Sequence, residues 1–262
     1  MTNENPLIDA ATVMIVRDRP EGMEVFMVVR HHQIDFASGA LVFPGGKVDA
    51  GDRDPALVEY CVGADGLDAR EVAFRIGAIR ESFEECGVLF AREKGALDYL
   101  SASRLQELDV WRDRFNAGTC DMLTFAREEG LEFVLDAFGH FAHWITPDLM
   151  PKRFDTHFFL ARAPEDHVAL HDGSESVDSV WIRPADAIIA ADAGERTIIF
   201  PTRMNVEKLM RSSDVAVALA SCGNVVTVEP FLKKEEDGTT FLRIQVDAGY
   251  GDPKEPLGRL PK

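Results

Sequence analysis

Three glutamates and an arginine crowd one short stretch of the chain, Arg80-Glu81-Ser82-Phe83-Glu84-Glu85-Cys86-Gly87. Placed on a helix at about 100° per residue, Glu81, Glu84 and Glu85 share one narrow sector. Val72, Ile76, Ile79, Phe83 and Cys86 take the opposite side. Like charges at such spacings cost a helix roughly 0.2–0.5 kcal/mol per pair. A cluster of hard oxygen donors is what Mg²⁺ or Mn²⁺ requires, and Arg80 beside it can hold one carboxylate in place. The competing reading is a solvated acidic face with an Arg–Glu pair, the usual fate of charge runs. Two features favour the metal face. Phe43-Pro44-Gly45-Gly46-Lys47-Val48-Asp49 lies upstream, and paired glycines after a strand allow close backbone approach. The order is then strand, glycine loop, acidic helix and a terminating Gly87.

These pieces need a scaffold. Ala11–Arg17 and Val25–Arg30 are rich in apolar and β-branched residues and flank Arg19-Pro20-Glu21-Gly22, which predicts a hairpin. Ala40–Phe43 is a short strand running into the glycines. Pro55–Val62 reads as a short helix, and Asp68 caps a long helix that runs through Glu85. Helical spacing runs from Tyr99 to Phe138, with breaks at Gly118 and Gly130. Strands return at Phe141–Ile145, Thr156–Ala163 and Ser179–Ile182. Pro201–Ala220 reads as one amphipathic helix, and Val225–Val228 with Thr240–Val246 as a hairpin around Asp237-Gly238. Strands flanked by helices without regular alternation imply an α+β fold or a mixed sheet between helices.

The chain has 262 residues, 46% of them hydrophobic, which is enough for one elaborated domain or two small ones. Its formal net charge of −17 argues against nucleic acid or an anionic membrane as partner. The first ten residues lack a signal-peptide pattern, and no run of eighteen apolar residues occurs. Cys61, Cys86, Cys120 and Cys222 are scattered without a CxxC, so a cytoplasmic location is the expectation. The seven histidines show no HExxH spacing, and His31-His32 has no partner in sequence. Nucleophile-elbow, Walker and dinucleotide-fold glycine motifs are missing too.

The glycine loop and acidic helix together resemble the Nudix box, G-x5-E-x7-R-E-U-x-E-E-x-G-U, with U a bulky apolar residue. Its second half matches Arg80 to Val88, with Ser82 departing from an apolar position. Gly46 matches the leading glycine, and Asp52 stands where the pattern has Glu. The departure is spacing: residues 53–79, 27 in all, separate Asp52 from Arg80 where the pattern has seven. A box split in this way resembles the subfamily of the peroxisomal coenzyme A diphosphatase and its bacterial relatives. His143-Trp144-Ile145-Thr146-Pro147, Pro151 to Phe159 and the Pro201-Thr202 helix start look similar to that subfamily as well. A coenzyme A signature of other Nudix enzymes pairs two arginines with G-x-x-x-F-P-G-G-x-x-D. Gly39–Asp49 fits its tail and Arg30 one arginine, while the second arginine is missing.

The resemblance implies an α/β/α sandwich with a mixed sheet. It places a Nudix domain at 8–190, with insertions at about 53–72 and 95–140. Residues 191–262 would be a C-terminal helix-and-hairpin extension on the same domain. It implies hydrolysis of a diphosphate in a small nucleotide substrate, coenzyme A or acyl-coenzyme A, to 3′,5′-ADP and phosphopantetheine. Mg²⁺ or Mn²⁺ would sit on Glu81, Glu84, Glu85 and the Gly46 carbonyl. Arg80 would orient a carboxylate, Glu81 is a candidate general base, and Glu175 is a further catalytic candidate against an ordinary acidic loop. Asp49 and Asp52 would stand behind the ligands. Arg30, Lys152 and Arg153 are candidate substrate contacts, the last two equally readable as a salt-bridged surface pair. Trp144 and Trp181 lean toward core anchors, and residues 95–140 toward a helical cap near the site. A homodimer is an expectation from the family. Two other readings stay open: an ADP-ribose, NADH or nucleotide-sugar pyrophosphatase, and a non-catalytic binding or regulatory module.

Overall fold

The computed structural model describes residues 6–30, 39–148, 150–165, 167 and 176–256. The chain starts with a long hairpin, β1 (Leu7–Arg19) and β2 (Gly22–Arg30), joined at the pair Arg19–Gly22. Short strands β3 (Leu41–Val42) and β4 (Gly45–Lys47) then bracket Phe43-Pro44. A 3₁₀ turn at Gly51–Arg53 and a second at Pro55–Tyr60 lead to β5 (Cys61–Val62). Helix α1 (Ala69–Cys86) follows. Its N-terminus is a full capping box, with the Asp68 side chain accepting from Arg70 and Glu71 N–H while Glu71 reaches back to the Asp68 N–H. Gly87, at φ 68°, ends it in the left-handed conformation that glycine adopts without strain.

Next come β6 (Ala91–Glu93), α2 (Ala102–Asn116), α3 (Met122–Glu129) and β7 (Leu131–Val134). Strands β8 (Gly139–Ile145), β9 (Arg153–Arg162) and β10 (Ser176–Ile182) complete the main sheet's long members. Helices α4 (Pro184–Asp192), α5 (Phe200–Leu209) and α6 (Val215–Ala220) precede β11 (Thr227–Val228). The described chain closes with β12 (Phe231–Lys234), β13 (Thr240–Arg243) and β14 (Lys254–Pro256), which form their own small sheet.

The main sheet runs β10-β2-β1-β9-β8-β11, with β3 on β2 and β4 on β1. It is mixed: β1 and β9 are parallel, whereas β1–β2 and β8–β9 are antiparallel. Alternate residues of β1 face opposite layers. Ala11, Val13 and Ile15 meet Phe74, Ile76, Ile79 and Phe83 of α1. Met14 and Val16 meet Met204, Val206, Leu209 and Val215 of α5 and α6. The result is the expected α/β/α layering. Among the described residues no helix is long and apolar enough to cross a membrane, and all four cysteines are free of disulfides.

Four expected elements differ. Residues after Gly130 form β7, not helix, because Leu131 and Phe133 alternate inward and the strand pairs with β5 and β6. Pro55–Val62 is a 3₁₀ turn plus β5. The helix expected over 201–220 is two helices, since Ser212-Ser213 ends one and the Asp214 side chain caps the next at Val217 N–H. The late hairpin pairs β13 with β12, while Thr227–Val228 joins β8 in parallel.

Candidate active site

The C-terminal half of α1 lies under the loop that carries Gly45 and Gly46. Arg80, nearly buried, organises the contact. Its Nε and Nη2 each donate to Asp52 at 3.0 Å, and its Nη1 donates to Glu81 and Glu84 at 2.9 Å each. Nη2 also donates to the Lys47 carbonyl at 2.7 Å. The 27 residues between Asp52 and Arg80 therefore leave the chain and return, and the two halves of the box close on each other. Asp52 is held from behind by the Asp49 N–H at 2.8 Å. Glu85 accepts from the Gly45 N–H at 3.1 Å. Arg112 of α2 donates to the Glu84 carbonyl through Nε and Nη2, at 3.2 and 3.0 Å, satisfying one of the open carbonyls at the end of α1.

Glycine at 46 is a steric requirement. A Cβ there would stand 2.5 Å from Glu81 Oε1. At Gly45, with φ 155°, a Cβ would stand 2.4 Å from the Ala11 carbonyl oxygen. The backbone thus comes as close to the helix and to β1 as atoms allow.

The glutamates are not on a solvated face. Glu81 and Glu85 are both buried, as is Asp52. Burial pushes the Glu81 carboxyl up to about 8; Arg80 pulls it down and the Glu84 carboxylate pushes it further up. Burial raises Glu84 and Asp52 as well, against the pull of Arg80. Burial alone would lower the guanidinium of Arg80, but Glu81, Asp52 and Glu84 outweigh it and keep it charged. Three carboxylates and a glycine backbone form a hard, anionic donor set that fits a divalent cation.

The cluster lines a cleft of about 580 Å³. Its other walls are largely apolar: Trp144, Ile145, Phe154 and Phe158 from β8–β9, Phe200 and Pro201 at the start of α5, and Pro230 and Leu242 from the C-terminal sheet. Lys47 and Lys152 are exposed on its rim.

The sequence-derived candidates divide. Arg80, Glu81, Glu84, Glu85 and Gly46 come together, and Lys152 reaches the cleft wall. Arg153 does not line the cleft. It pairs with Asp148 at 2.5 Å and Glu229 at 2.9 Å and donates to the Thr146 carbonyl, so it ties the 146–148 loop to the segment after β11. Arg30 lies on β2, with its side chain outside the described residues, and Glu175 and His31-His32 lie outside them altogether. Trp144 is buried and also lines the cleft. Trp181 is half-buried, with Arg17 stacked 4.0 Å over its ring. Of the 95–140 segment, Asn116 reaches the cleft, while Trp111, Phe115 and Phe125 pack with Phe83 in the α1 core. Lys47 and the C-terminal wall were not singled out in the sequence. Lys47 had a local signal, following the glycine pair directly; Pro230 and Leu242 had none.

A mixed sheet between helices, with a glycine loop pressed onto a buried glutamate cluster of one helix, defines a Nudix domain. The model of the NUDT19 Nudix domain matches residues 64–209, more than half of the chain, and the chain belongs to that family. It is 28% identical over 206 residues to the human protein named acyl-coenzyme A diphosphatase NUDT19, an alignment covering 64% of this chain and 55% of that one. With the chicken protein of the same name it is 29% identical over 215 residues, covering 64% and 56%. The chain thus spans about half the length of these curated relatives. A crystal structure of a Nudix hydrolase from Alicyclobacillus acidocaldarius superposes with a TM-score of 0.67 at 26% identity, covering 84% of this chain and 98% of that one.

Proposed function

We propose that this chain is a Mg²⁺- or Mn²⁺-dependent diphosphatase that hydrolyses coenzyme A or acyl-coenzyme A to 3′,5′-ADP and (acyl-)phosphopantetheine. The observation that carries the reading is one cleft with two chemistries. The glutamate cluster in its lining suits a cation-bound diphosphate, and its apolar walls suit the thin pantetheine arm and an acyl chain. The names of the human and chicken relatives support the same substrate class.

Glu81, Glu84 and Glu85, with the Gly46 carbonyl, would hold the cation. A divalent cation in such a cluster neutralises the diphosphate and lowers the pKa of bound water. Arg80 fixes the carboxylates of Glu81 and Glu84 so that neither must reorganise during the reaction. Water attacks one phosphorus, the P–O bond of the anhydride breaks, and the bridging oxygen leaves with the other phosphate. Glu81 in its ionised form would take the proton of the attacking water; burial, which pushes its carboxyl up to about 8, makes that form the minority near neutral pH without a cation beside it. Lys47 and Lys152 meet the phosphate charge from the rim.

A substrate panel tests this: coenzyme A, acyl-coenzyme A, ADP-ribose and NADH, each with Mg²⁺ or Mn²⁺ and product separation. Coenzyme A or its acyl form is turned over fastest, and Glu84→Gln abolishes turnover. Faster cleavage of ADP-ribose refutes the substrate class. Undiminished turnover in Glu84→Gln refutes the cation assignment. Tight binding of one compound without cleavage of any favours a binding module.

A further inference from the structure

Behind the cleft wall, on the opposite face of β8 and β9, a second group of ligand-type side chains meets that the glutamate site does not use. His143 and His157 are direct cross-strand neighbours, and Asp155 lies two residues before His157 on the same face. His143 Nε2 donates to Asp155 Oδ1. His157 Nε2 lies 3.8 Å from that same oxygen, is buried, and has no hydrogen-bond partner among the described residues. Buried ring nitrogens left unpaired are rare and call for an explanation.

The outer atoms of the three groups are already engaged. Thr227 Oγ1 lies 2.8 Å from His143 Nδ1, and His140 Nε2 lies 3.1 Å from His157 Nδ1. Arg70 Nη2 donates to Asp155 Oδ2 at 2.6 Å. Metal-binding histidines and carboxylates carry this kind of outer hydrogen bond, which sets ring orientation and tautomer. One ligand-type atom from each of the three residues lies within 4.8 Å of the other two, and Asp155 Oδ1 contacts His143 Nε2 and lies 3.8 Å from His157 Nε2. A four-coordinate Zn²⁺ spaces its ligand atoms about 3.3 Å apart; the His143 and His157 rings, stacked at 4.2 Å and 29°, would have to turn out of that stack to aim both Nε2 atoms at one ion.

We propose that His143, Asp155 and His157 form a second cation site, distinct from the glutamate cluster and suited to Zn²⁺ or a neighbouring transition metal, which pins β8 to β9 behind the substrate cleft. Two imidazoles and one carboxylate favour such ions over Mg²⁺, which prefers all-oxygen sites. On binding, His143 would turn Nδ1–H toward Thr227 Oγ1 and offer Nε2 to the ion. Trp144, Thr156 and Phe158, which face the cleft, alternate along these strands with the three ligands. The ion would therefore stiffen the wall without touching substrate.

The test uses the full chain, stripped with a chelator and held in millimolar Mg²⁺ to occupy oxygen-only sites. One equivalent of Zn²⁺ remains after gel filtration, one equivalent of Co²⁺ gives visible d–d bands that Zn²⁺ displaces, and Zn²⁺ raises Tm. His157→Phe, which keeps the ring packed 4.1 Å from Phe74, loses the bound equivalent. Thr227→Val weakens binding about 10–100-fold, and Glu84→Gln retains it. A wild-type chain that holds no Zn²⁺ in the presence of Mg²⁺ overturns the proposal. So does full binding by folded His157→Phe, or loss of the equivalent in Glu84→Gln. If His157→Phe fails to fold, His143→Gln is read the same way.

Discussion

Replacing Gly46 with alanine separates the chemistry of the loop from its role in the fold. The new Cβ would lie 2.5 Å from Glu81 Oε1, and ordinary contact begins at 3.4 Å, so the carboxylate must move by about 0.9 Å. It cannot move freely, because Arg80 holds the same oxygen at 2.9 Å. The backbone at Gly46 is within reach of alanine, and the obstacle is the tip of a side chain, so the fold survives. The stability loss is bounded by one charge-assisted hydrogen bond, about 1.5–3 kcal/mol. A displacement near 1 Å of a catalytic group costs on the order of 100-fold in rate. Steady-state hydrolysis of coenzyme A should show that loss in kcat, Mn²⁺ affinity measured by electron paramagnetic resonance should fall, and Tm should shift modestly. Gly45→Ala is the contrast. Its Cβ meets the Ala11 carbonyl and Thr12 Cα, backbone atoms of β1, at 2.4 and 2.6 Å, so β4 must leave β1 and Tm falls further. Near-wild-type kcat and Mn²⁺ affinity in Gly46→Ala would refute the argument that this backbone fixes Glu81. A Tm loss matching that of Gly45→Ala would refute the separation of roles.

Arg80→Met removes the one guanidinium shared by Asp52, Glu81 and Glu84. Breaking a buried ion pair costs about 3–5 kcal/mol, a Tm fall of roughly 6–20 °C at this chain length. Asp52→Asn should cost less, because Arg80 keeps Glu81 and Glu84; equal melting of the two variants would show that the network is not centred on Arg80. The Tyr250 hydroxyl donates to Asn205, and burial pushes its pKa up to about 12. Between pH 10 and 12 the folded chain therefore keeps a proton that the unfolded chain releases, so stability is full below pH 10 and falls through that window. Urea unfolding across it should show a shallower alkaline decline in Tyr250→Phe, and an unchanged slope would mean the hydroxyl is ionised normally in the fold.

Where the sequence carried its signal locally, the elements were legible. Asp68 with Glu71 three residues on, and Gly87 after the last turn, bound α1 where the structure ends it. The Pro20-Glu21 turn set the first hairpin in the same way. Elements defined by distant partners were not legible. Leu131–Val134 continues a helical spacing, and only pairing with β5 and β6 makes it a strand. The glutamate sector was readable from helical geometry, but its burial was not. The cover is the Gly45–Lys47 strand and the 3₁₀ turn holding Asp52, which are 27 or more residues away from Arg80 along the chain. The histidine cluster left no trace in the sequence because its members sit on two strands, and their spacing means nothing until β8 and β9 are in register.

The charge of −17 looks at first like an obstacle to an anionic substrate, and the cleft shows how it is arranged. Three arginines are already matched to carboxylates: Arg80 to Asp52, Glu81 and Glu84, Arg70 to Asp9 and Asp155, Arg153 to Asp148 and Glu229. Along the cleft that leaves Lys47 and Lys152 as cations with no ion pair among the described residues. Two exposed lysines in a field of this sign cannot hold a diphosphate strongly, since solvent screens them. At the glutamate cluster one guanidinium pairs with Asp52, Glu81 and Glu84 while Glu85 sits on the Gly45 N–H, so carboxyl groups outnumber the cation and the site favours divalent cations. A diphosphate substrate, as proposed, would then be attracted by bound cations and repelled by the same surplus without them. Under the proposed function the acidic chain would act as a filter: substrate affinity would depend on the cation, and the apolar walls would choose among diphosphates by the arm they carry.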